Sequence, residues 1–428
     1  MRARFINQGL KSVEQGFKSR VSRPLKSRAT LELSRCYRAA LRLSDVRFIG
    51  VTGSCGKTTA TELIAAILAR EGRVQTGSHE NTMQHFARTI LAVSPRHRFC
   101  VTEISGHARG AIEQATRLLR PHVGVVTCVG QDHYASFRTL EATAAEKSRL
   151  VEVLPADGLA ILNADDPHVI AMRTRTRARV ITYGLSSEAM VQGEHVTAAW
   201  PERLSLDLCY AGGRWPVQTQ LVGTHWASIV LAALATALAL DVAPERAIEA
   251  VEAFAPVPYR MSPHEVPGDV TFISDTWKAP LWAFPTTFDF LRSARARRKI
   301  LVVGSVSDTP KGFYHRYKAI VDQGLDAAER ILFVGEHARA ALRARRRHDD
   351  ERVLAFDTLH QLHTYLHAEL QAGDLVLLKG VCNNDHLHRL VLARTGEMLC
   401  WREKCGRRRF CEDCRLRLDP FVPPDESQ

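Results

Sequence analysis

Phe48-Ile49-Gly50-Val51-Thr52-Gly53-Ser54-Cys55-Gly56-Lys57-Thr58-Thr59 is the stretch from which the fold can be read. A short apolar run breaks into a glycine-punctuated turn, Lys-Thr-Thr follows, and Leu63 to Leu68 then recurs at helical spacing. The order is strand, phosphate loop, helix. Gly53 and Gly56 let the backbone turn tightly with its N–H groups pointing inward, and the helix N-terminus adds partial positive charge. Lys57 brings a full charge to the β- and γ-phosphates, and the Thr58 hydroxyl can ligate Mg²⁺. Gly53, Ser54, Cys55, Gly56, Lys57, Thr58 and Thr59 are therefore the candidate triphosphate-binding residues. Val51 stands where the general pattern has its first glycine, so Gly50 and Gly53 together suggest a variant loop.

Outward from this loop the chain alternates strand-like and helix-like segments, the pattern of a parallel sheet with helices on both faces. Phe99–Ile104 is a buried-strand run with Glu103 near its end. Val123–Val129 is a second, ending in Gly130-Gln131-Asp132-His133. Leu140–Leu154 reads as a helix carrying Lys147, and Gly158–Leu162 as a strand closed by Asn163-Ala164-Asp165-Asp166. Ligands of open parallel sheets sit at the carboxyl ends of strands, so Lys57, Glu103 and His133 are expected around one phosphate site. Residues 180 to 222 read as shorter β segments, an excursion from the main sheet. After Pro256-Val257-Pro258 a second alternating series begins, which predicts a second α/β domain.

At 428 residues the chain is long enough for two or three domains. No run is long enough to span a bilayer and no secretory signal is visible. The ten cysteines, without such a signal, imply reduced thiols and a cytoplasmic location. The net charge of +12 is concentrated in residues 1–47, 292–299, 339–347 and 402–409. No aromatic-interleaved recognition motif accompanies these patches, so solvated helix faces or steering of anionic substrates explain them better than nucleic acid.

Taken in order, the loop, Thr102-Glu103, Arg120-Pro121, Gly130-Gln131-Asp132-His133, Glu146-Lys147, Asn163-Ala164-Asp165-Asp166, Gly223-Thr224-His225, Tyr259-Arg260-Met261, Asp275-Thr276-Trp277-Lys278-Ala279-Pro280 and Gly373–Gly380 resemble the Mur ligase family. These are the ATP-dependent amide ligases of peptidoglycan and related pathways. The resemblance covers about residues 47 to 395. It implies a P-loop parallel-sheet central domain followed by a smaller Rossmann-like α/β domain. It further implies that ATP and Mg²⁺ are used to join an acid to an amine through an acyl phosphate, in cell-wall or amino-acid-polymer biosynthesis.

By this resemblance Lys57 and Thr58 hold the triphosphate with one Mg²⁺, Glu103 ligates that ion, and His133 ligates a second. Lys147 matches the lysine that family members carbamylate, which makes it a carboxylate-like metal ligand. Arg260, Asp275 and Lys278 match inter-domain positions that contact nucleotide after closure. Asn81 lies in the loop where relatives contact phosphate or substrate. The layout from Gly223 to Met261 is most like the member that adds D-alanyl-D-alanine. That member begins with a UDP-sugar-binding domain, and residues 1–46, read as basic amphipathic helix, are too few to form one. The expected substrates are thus a small-molecule or peptide-like acid and amine, with a separate substrate-binding subunit as one way to supply the missing domain. A reading of another class is a non-ligating, ATP-gated binding protein for nucleic acid, against which the set Glu103, His133 and Lys147 argues.

The expected domains are 1–46, 47–262, 263–398 and a tail, 399–428, whose Pro-rich acidic end from Asp419 reads as disordered. The tail carries Cys400, Cys405, Cys411 and Cys414, a spacing that suits a structural Zn²⁺ site. An iron–sulfur cluster uses the same ligands, and free thiols need none.

Overall fold

The computed structural model describes residues 23–78, 81–345, 351–403, 405 and 410–420. The N-terminal residues 1–22 and the acidic end 421–428, both read from sequence above, lie outside the described residues. Helix Arg23–Ala40 opens the described chain and packs on helix Met83–Ala92. Arg38 fixes it there. Its guanidinium donates to the carbonyls of Leu119 (2.7 Å) and Arg120 (2.8 Å) and lies 3.8 Å from the Phe48 ring centroid.

Nine strands form the first sheet: β1 (Arg47–Thr52), β2 (Val74–Gly77), β3 (Phe99–Glu103), β4 (Val123–Val126), β5 (Leu159–Asn163), β6 (Arg179–Gly184), β7 (Val191–Thr197), β8 (Ser205–Tyr210) and β9 (Gly213–Gln218). Their spatial order is β2-β3-β1-β4-β5-β6-β7-β8-β9. The run β1 to β7 is parallel, with Val51 in register with Glu103 on one side and Val125 on the other. A strand covered on both faces needs apolar side chains throughout, and Phe48, Ile49 and Val51 are all buried.

Two expectations change here. Gly50 is not part of the loop. It lies inside β1, where a Cβ would stand 2.8 Å from Ile104 Cδ1 and 3.0 Å from Leu150 Cδ1, so it serves close packing and the loop begins at Gly53. Residues 180 to 222 are not an excursion either: β6 pairs with β7 at Tyr183–Val191, and β8 and β9 extend the same sheet antiparallel. Short strands with turn residues look alike in either arrangement, because the pairing partner is not written in them.

The second sheet contains β10 (Ser262–Val266), β11 (Val270–Asp275), β12 (Arg298–Val303), β13 (Arg330–Val334), β14 (Val353–Phe356) and β15 (Asp374–Lys379). Its order is β10-β11-β15-β12-β13-β14, parallel except for β10. Arg298 and the fully buried Asp374 carboxylate tie β12 to β15 through paired hydrogen bonds. The edges of both sheets are alike in kind. β2 and β14 are four residues long, whereas β9 carries Pro216 and β10 carries Pro263. On β9, Arg214 also pairs with Glu194 and Asp207.

Helix Lys57–Leu68 packs against helix Ala227–Ala239, whose small residues let the two axes approach. Among the described residues no helix is long and apolar enough to cross a membrane.

Candidate active site

The loop after β1 adopts the turn its glycines allow. Gly56 has φ 76° and Gly53 φ 150°, and a Cβ on Gly56 would meet Ile229 Cδ1 at 2.3 Å. Ser54 Oγ accepts from Gly130 N (2.8 Å), which ties this loop to the one after β4. Lys57 turns back on the loop and donates to Gly53 O at 2.8 Å. Thr58 Oγ1 donates to Glu103 Oε2 at 2.6 Å and accepts from Arg260 Nη2 at 2.8 Å. Asn81 Nδ2 reaches the other Glu103 oxygen at 3.4 Å. Thr59 is buried one position further along the helix.

Glu103 is 5% exposed. Burial alone would raise its pKa, but Lys57, the Thr58 hydrogen bond, Arg260 and Asn81 outweigh it and hold the carboxyl below its ordinary range. Asp132 is 4% exposed and behaves alike: burial opposes ionisation, and Lys57, Lys278 and Lys147 overcome it. Lys57 Nζ lies 3.8 Å from Asp132 Oδ2, and Lys278 Nζ lies 3.6 Å from Oδ1. Burial pushes His133 down to about 4, so its ring is neutral near neutral pH. Lys147 is 2% exposed and is pushed down to about 8, by burial first and by Lys57 second.

The helix that carries Lys147, Leu140–Glu152, is placed by its neighbour in sequence. Glu146 accepts from Gly110 N (2.8 Å) and Ile112 N (2.9 Å), capping helix Ala111–Leu119. The Asn163–Asp166 motif positions rather than reacts. Asn163 donates to Thr127 O at 2.9 Å, and Asp166 accepts from Val129 N at 2.7 Å, which fixes the loop leading to Asp132 and His133.

The second sheet closes the site from the opposite side. Arg260 is half-buried, lies over the Trp277 ring at 5.2 Å, and stands between Tyr259 and Met261, both at positive φ. Asp275, at the end of β11, pairs with Lys379, at the end of β15. Trp282 lies so close to Gly130 that a Cβ there would stand 2.8 Å from the ring. Together these groups enclose a cavity of about 420 Å³ bounded by Lys57, Glu103 and Asp132 on one side and Arg260, Asp275 and Lys278 on the other.

Comparison with known proteins bears on this arrangement. Residues 51–237 match the Mur ligase middle domain. A UDP-N-acetylmuramoyl-tripeptide–D-alanyl-D-alanine ligase of Synechocystis is 30% identical over 345 residues, which cover 78% of this chain and 71% of that protein. The chain belongs to the Mur ligase family. The like-named Mycobacterium tuberculosis protein is 32% identical over 254 residues, 59% of this chain and 50% of that one, so the chain spans about half the length of such Mur ligase relatives. Among solved structures, MurF from Acinetobacter baumannii has a TM-score of 0.77 at 21% identity, covering 86% of this chain and 80% of that one. The MurF ligase from Thermotoga maritima, solved in complex with ADP, has a TM-score of 0.72 at 20% identity, covering 82% and 80%. At these identities the structures share the Mur ligase fold with this chain.

In this Mur ligase the structure brings Lys57, Thr58, Glu103, Asn81, Arg260, Asp275 and Lys278 to one cavity. His133 and Lys147 lie against the same group of charges. Among the charged groups at the site, Asp132, Asp308 and Lys379 carry no role in the sequence reading. Asp132 sat beside His133 in a motif already quoted. Lys379 ends β15 and Asp308 lies in the loop after β12, on the carboxyl side of the second sheet, a position that could have marked them.

The tail cysteines stand apart from this cavity. Among the described residues none of Cys400, Cys405, Cys411 and Cys414 belongs to a group of three metal-donor side chains with ligand atoms mutually within 4.8 Å. Cys405 and Cys411 instead flank the His386 ring at 3.5 and 3.6 Å, and buried Arg389 reaches Cys411 Sγ at 3.2 Å. The tail packs on the segment joining the two sheets. Phe410 stacks on Tyr259 at 4.7 Å, and the Tyr259 hydroxyl donates to Glu412.

Proposed function

We propose that this chain is an ATP-dependent ligase that joins a carboxylate to an amine, in cell-wall or amino-acid-polymer biosynthesis. The observation that carries the reading is the single cavity in which a phosphate loop with its threonine–glutamate pair faces Arg260, Asp275 and Lys278 from the other sheet. A substrate carboxylate attacks the γ-phosphorus of ATP, the bond to ADP breaks, and an acyl phosphate forms. The amine nitrogen then attacks the acyl carbon, phosphate departs with its oxygen, and the nitrogen loses a proton.

Two anions meet in the first step, so positive charge placed in advance is the main contribution the protein can make. Lys57 is poised to exchange its loop carbonyls for phosphate oxygens, and Lys278 and Arg260 add charge from the facing domain. The hydroxyl of Thr58 and the carboxylate of Glu103 are hard oxygen donors that fit Mg²⁺, which supplies charge neutralisation when bound. Lys147 fits the carbamylated lysine of the family, since a buried amine pushed down to about 8 has an enlarged neutral, CO₂-reactive fraction. In the tail, a structural Zn²⁺ on Cys400, Cys405, Cys411 and Cys414 would require these thiols to draw together, since Cys405 and Cys411 contact different nitrogens of the His386 ring.

The relatives' names support a peptide-like acid and a small amino-acid or peptide amine. The reading carries with it a cytoplasmic location, where ATP is available. The test is ADP release with Mg²⁺ and ATP across a panel of acids and amines, followed by mass spectrometry. Release that needs both partners, with a product one water lighter than the pair, supports the ligase. Release independent of both, or driven by nucleic acid, refutes it. Silence with every pair, restored by adding a cell extract fraction, supports a separate substrate-binding subunit.

A further inference from the structure

Arg260 reaches the phosphate loop from a strained stretch of backbone. Tyr259 (φ 65°) and Met261 (φ 52°) flank it in the left-handed region, which bulky side chains rarely adopt. Two such residues around one arginine persist only where their surroundings fix them. Part of the fixing is local. Tyr259 N donates to Ser262 Oγ at 3.2 Å, and the Tyr259 carbonyl accepts from Thr276 N at 3.1 Å and Trp277 N at 3.3 Å. The Tyr259 side chain, 2% exposed, is held from further away.

Much of that hold comes from the tail. Phe410 stacks on the Tyr259 ring with 4.7 Å between centroids and 11° between planes, and Glu412 accepts from the Tyr259 hydroxyl. His388 meets the same ring edge-on at 4.6 Å. Phe410 also lies 5.8 Å from the Trp277 ring, over which the Arg260 guanidinium sits at 5.2 Å. One tail side chain thus touches both the residue that sets the backbone of Arg260 and the ring beneath its charge. Arg417 braces the tail in this place: its side chain donates to Glu412 O, and its carbonyl accepts from Leu399 N at 2.7 Å and Cys400 N at 3.1 Å. At the far end Arg260 Nη2 donates to Thr58 Oγ1 at 2.8 Å. Arg260 Nε is buried with no hydrogen-bond partner among the described residues, which leaves the guanidinium a donor for an incoming anion.

We infer that Phe410 and Glu412 of the tail are positioning residues for nucleotide binding: they hold Tyr259 in its left-handed backbone and so aim Arg260 at the phosphate loop. Without the stack, Tyr259 relaxes toward negative φ, the chain turns at Arg260, and Nη2 leaves Thr58. The use of Arg260 on nucleotide rests on the ligase reading, whereas the hold on Tyr259 does not.

The experiment is a double-mutant cycle on the full chain, Phe410→Ala against Arg260→Ala, read by calorimetric titration with Mg²⁺ and a non-hydrolysable ATP analogue. Each single variant weakens binding about tenfold, and the double variant is no weaker than Arg260→Ala alone, because the aim of an absent arginine no longer matters. Glu412→Ala acts in the same direction and is masked in the same way. Phe410→Tyr, which keeps the ring, stays within about twofold of wild type. Saturation at one nucleotide per chain separates weakened binding from a misfolded fraction. Additive losses, or wild-type affinity in Phe410→Ala, overturn the inference. A second arm uses no nucleotide: the amides of Thr276 and Trp277, which donate to Tyr259 O, exchange hydrogen faster in Phe410→Ala than in wild type. Unchanged exchange overturns the hold on Tyr259. A wild type that binds no analogue refutes the ligase reading and the use of Arg260 with it, while the exchange arm still decides whether the tail holds Tyr259.

Discussion

Glu103→Gln isolates the charge at the centre of the cavity while keeping its shape and its capacity to accept from Thr58. In the protein without ligands the carboxylate balances Lys57 and Arg260 and takes a 2.6 Å hydrogen bond from Thr58. Hydrogen bonds to charged groups contribute about 1.5–3 kcal/mol, and removing one partner of a buried pair costs about 3–5 kcal/mol. Gln keeps the hydrogen bond in neutral form, and Asp132 still faces Lys57, so a loss of about 2–3 kcal/mol is expected. For a domain of this size that is roughly 5–10 °C in Tm.

Nucleotide should reverse the order. A triphosphate without metal meets repulsion from Glu103 in the wild type, whereas in the Glu103→Gln protein it finds Arg260 without that counter-charge and Lys57 balanced by Asp132 alone. Metal-free ATP analogue should therefore raise the Tm of Glu103→Gln by more than that of wild type. Added Mg²⁺ should give a further rise only in the wild type. Differential scanning calorimetry with and without EDTA measures both. Equal stability of the two ligand-free proteins, or an equal response to metal-free nucleotide, refutes the electrostatic account.

Gly56→Ala should cost about 2–4 kcal/mol, from a left-handed φ and from the clash with Ile229, and weaken nucleotide binding; adding Ile229→Ala should restore only the steric share, as denaturant unfolding can show. His122 accepts from Phe48 N through Nδ1, and burial, then Arg38 and Arg47, push it down to about 4. Its contribution is intact above the unfolded value near 6.5 and is lost as pH falls to about 4, by roughly 1–2 kcal/mol after solvent screening of this partly exposed ring, so His122→Asn should flatten the acid limb of stability by about one proton's share. Carbamylation of Lys147 should rise with pH through about 8, as the neutral amine grows, and ¹³C NMR with labelled bicarbonate should lose that signal in Lys147→Met; wild type without a signal at alkaline pH counts against it. Metal analysis of the purified chain should find about one zinc, lost in Cys411→Ser; a zinc-free wild type would return the tail to free thiols.

Sequence alone went far with the first sheet because its chemistry is local. The run from Phe48 to Thr59 specifies strand, loop and helix within one window; Glu103 ends a strand, and His133 lies in the loop after another, whose apolar runs are visible. What it could not carry was pairing across long separations. Nothing in Tyr183 or Val191 announces that they are partners, so the edge strands looked like a detour. Asp308 is 175 residues from His133 and enters the site only because β12 lies beside β15 in the second sheet. Gly50 shows the converse failure: it fitted a loop pattern by spacing, while its actual constraint is the contact with Ile104 and Leu150.

The four outer strands bear on how this protein behaves in a crowded solution. An exposed strand edge is a template on which another chain can be laid, and growth by that route needs a flat row of backbone donors and acceptors several residues long. Here β2 and β14 are too short to offer such a row, and a proline interrupts β9 and β10. Fibre-like growth from either sheet is thereby blocked at its starting step, and contacts between copies are left to side chains. With a surplus of twelve positive charges at pH 7, those side chains mostly repel, so the large open sheets remain compatible with high concentration.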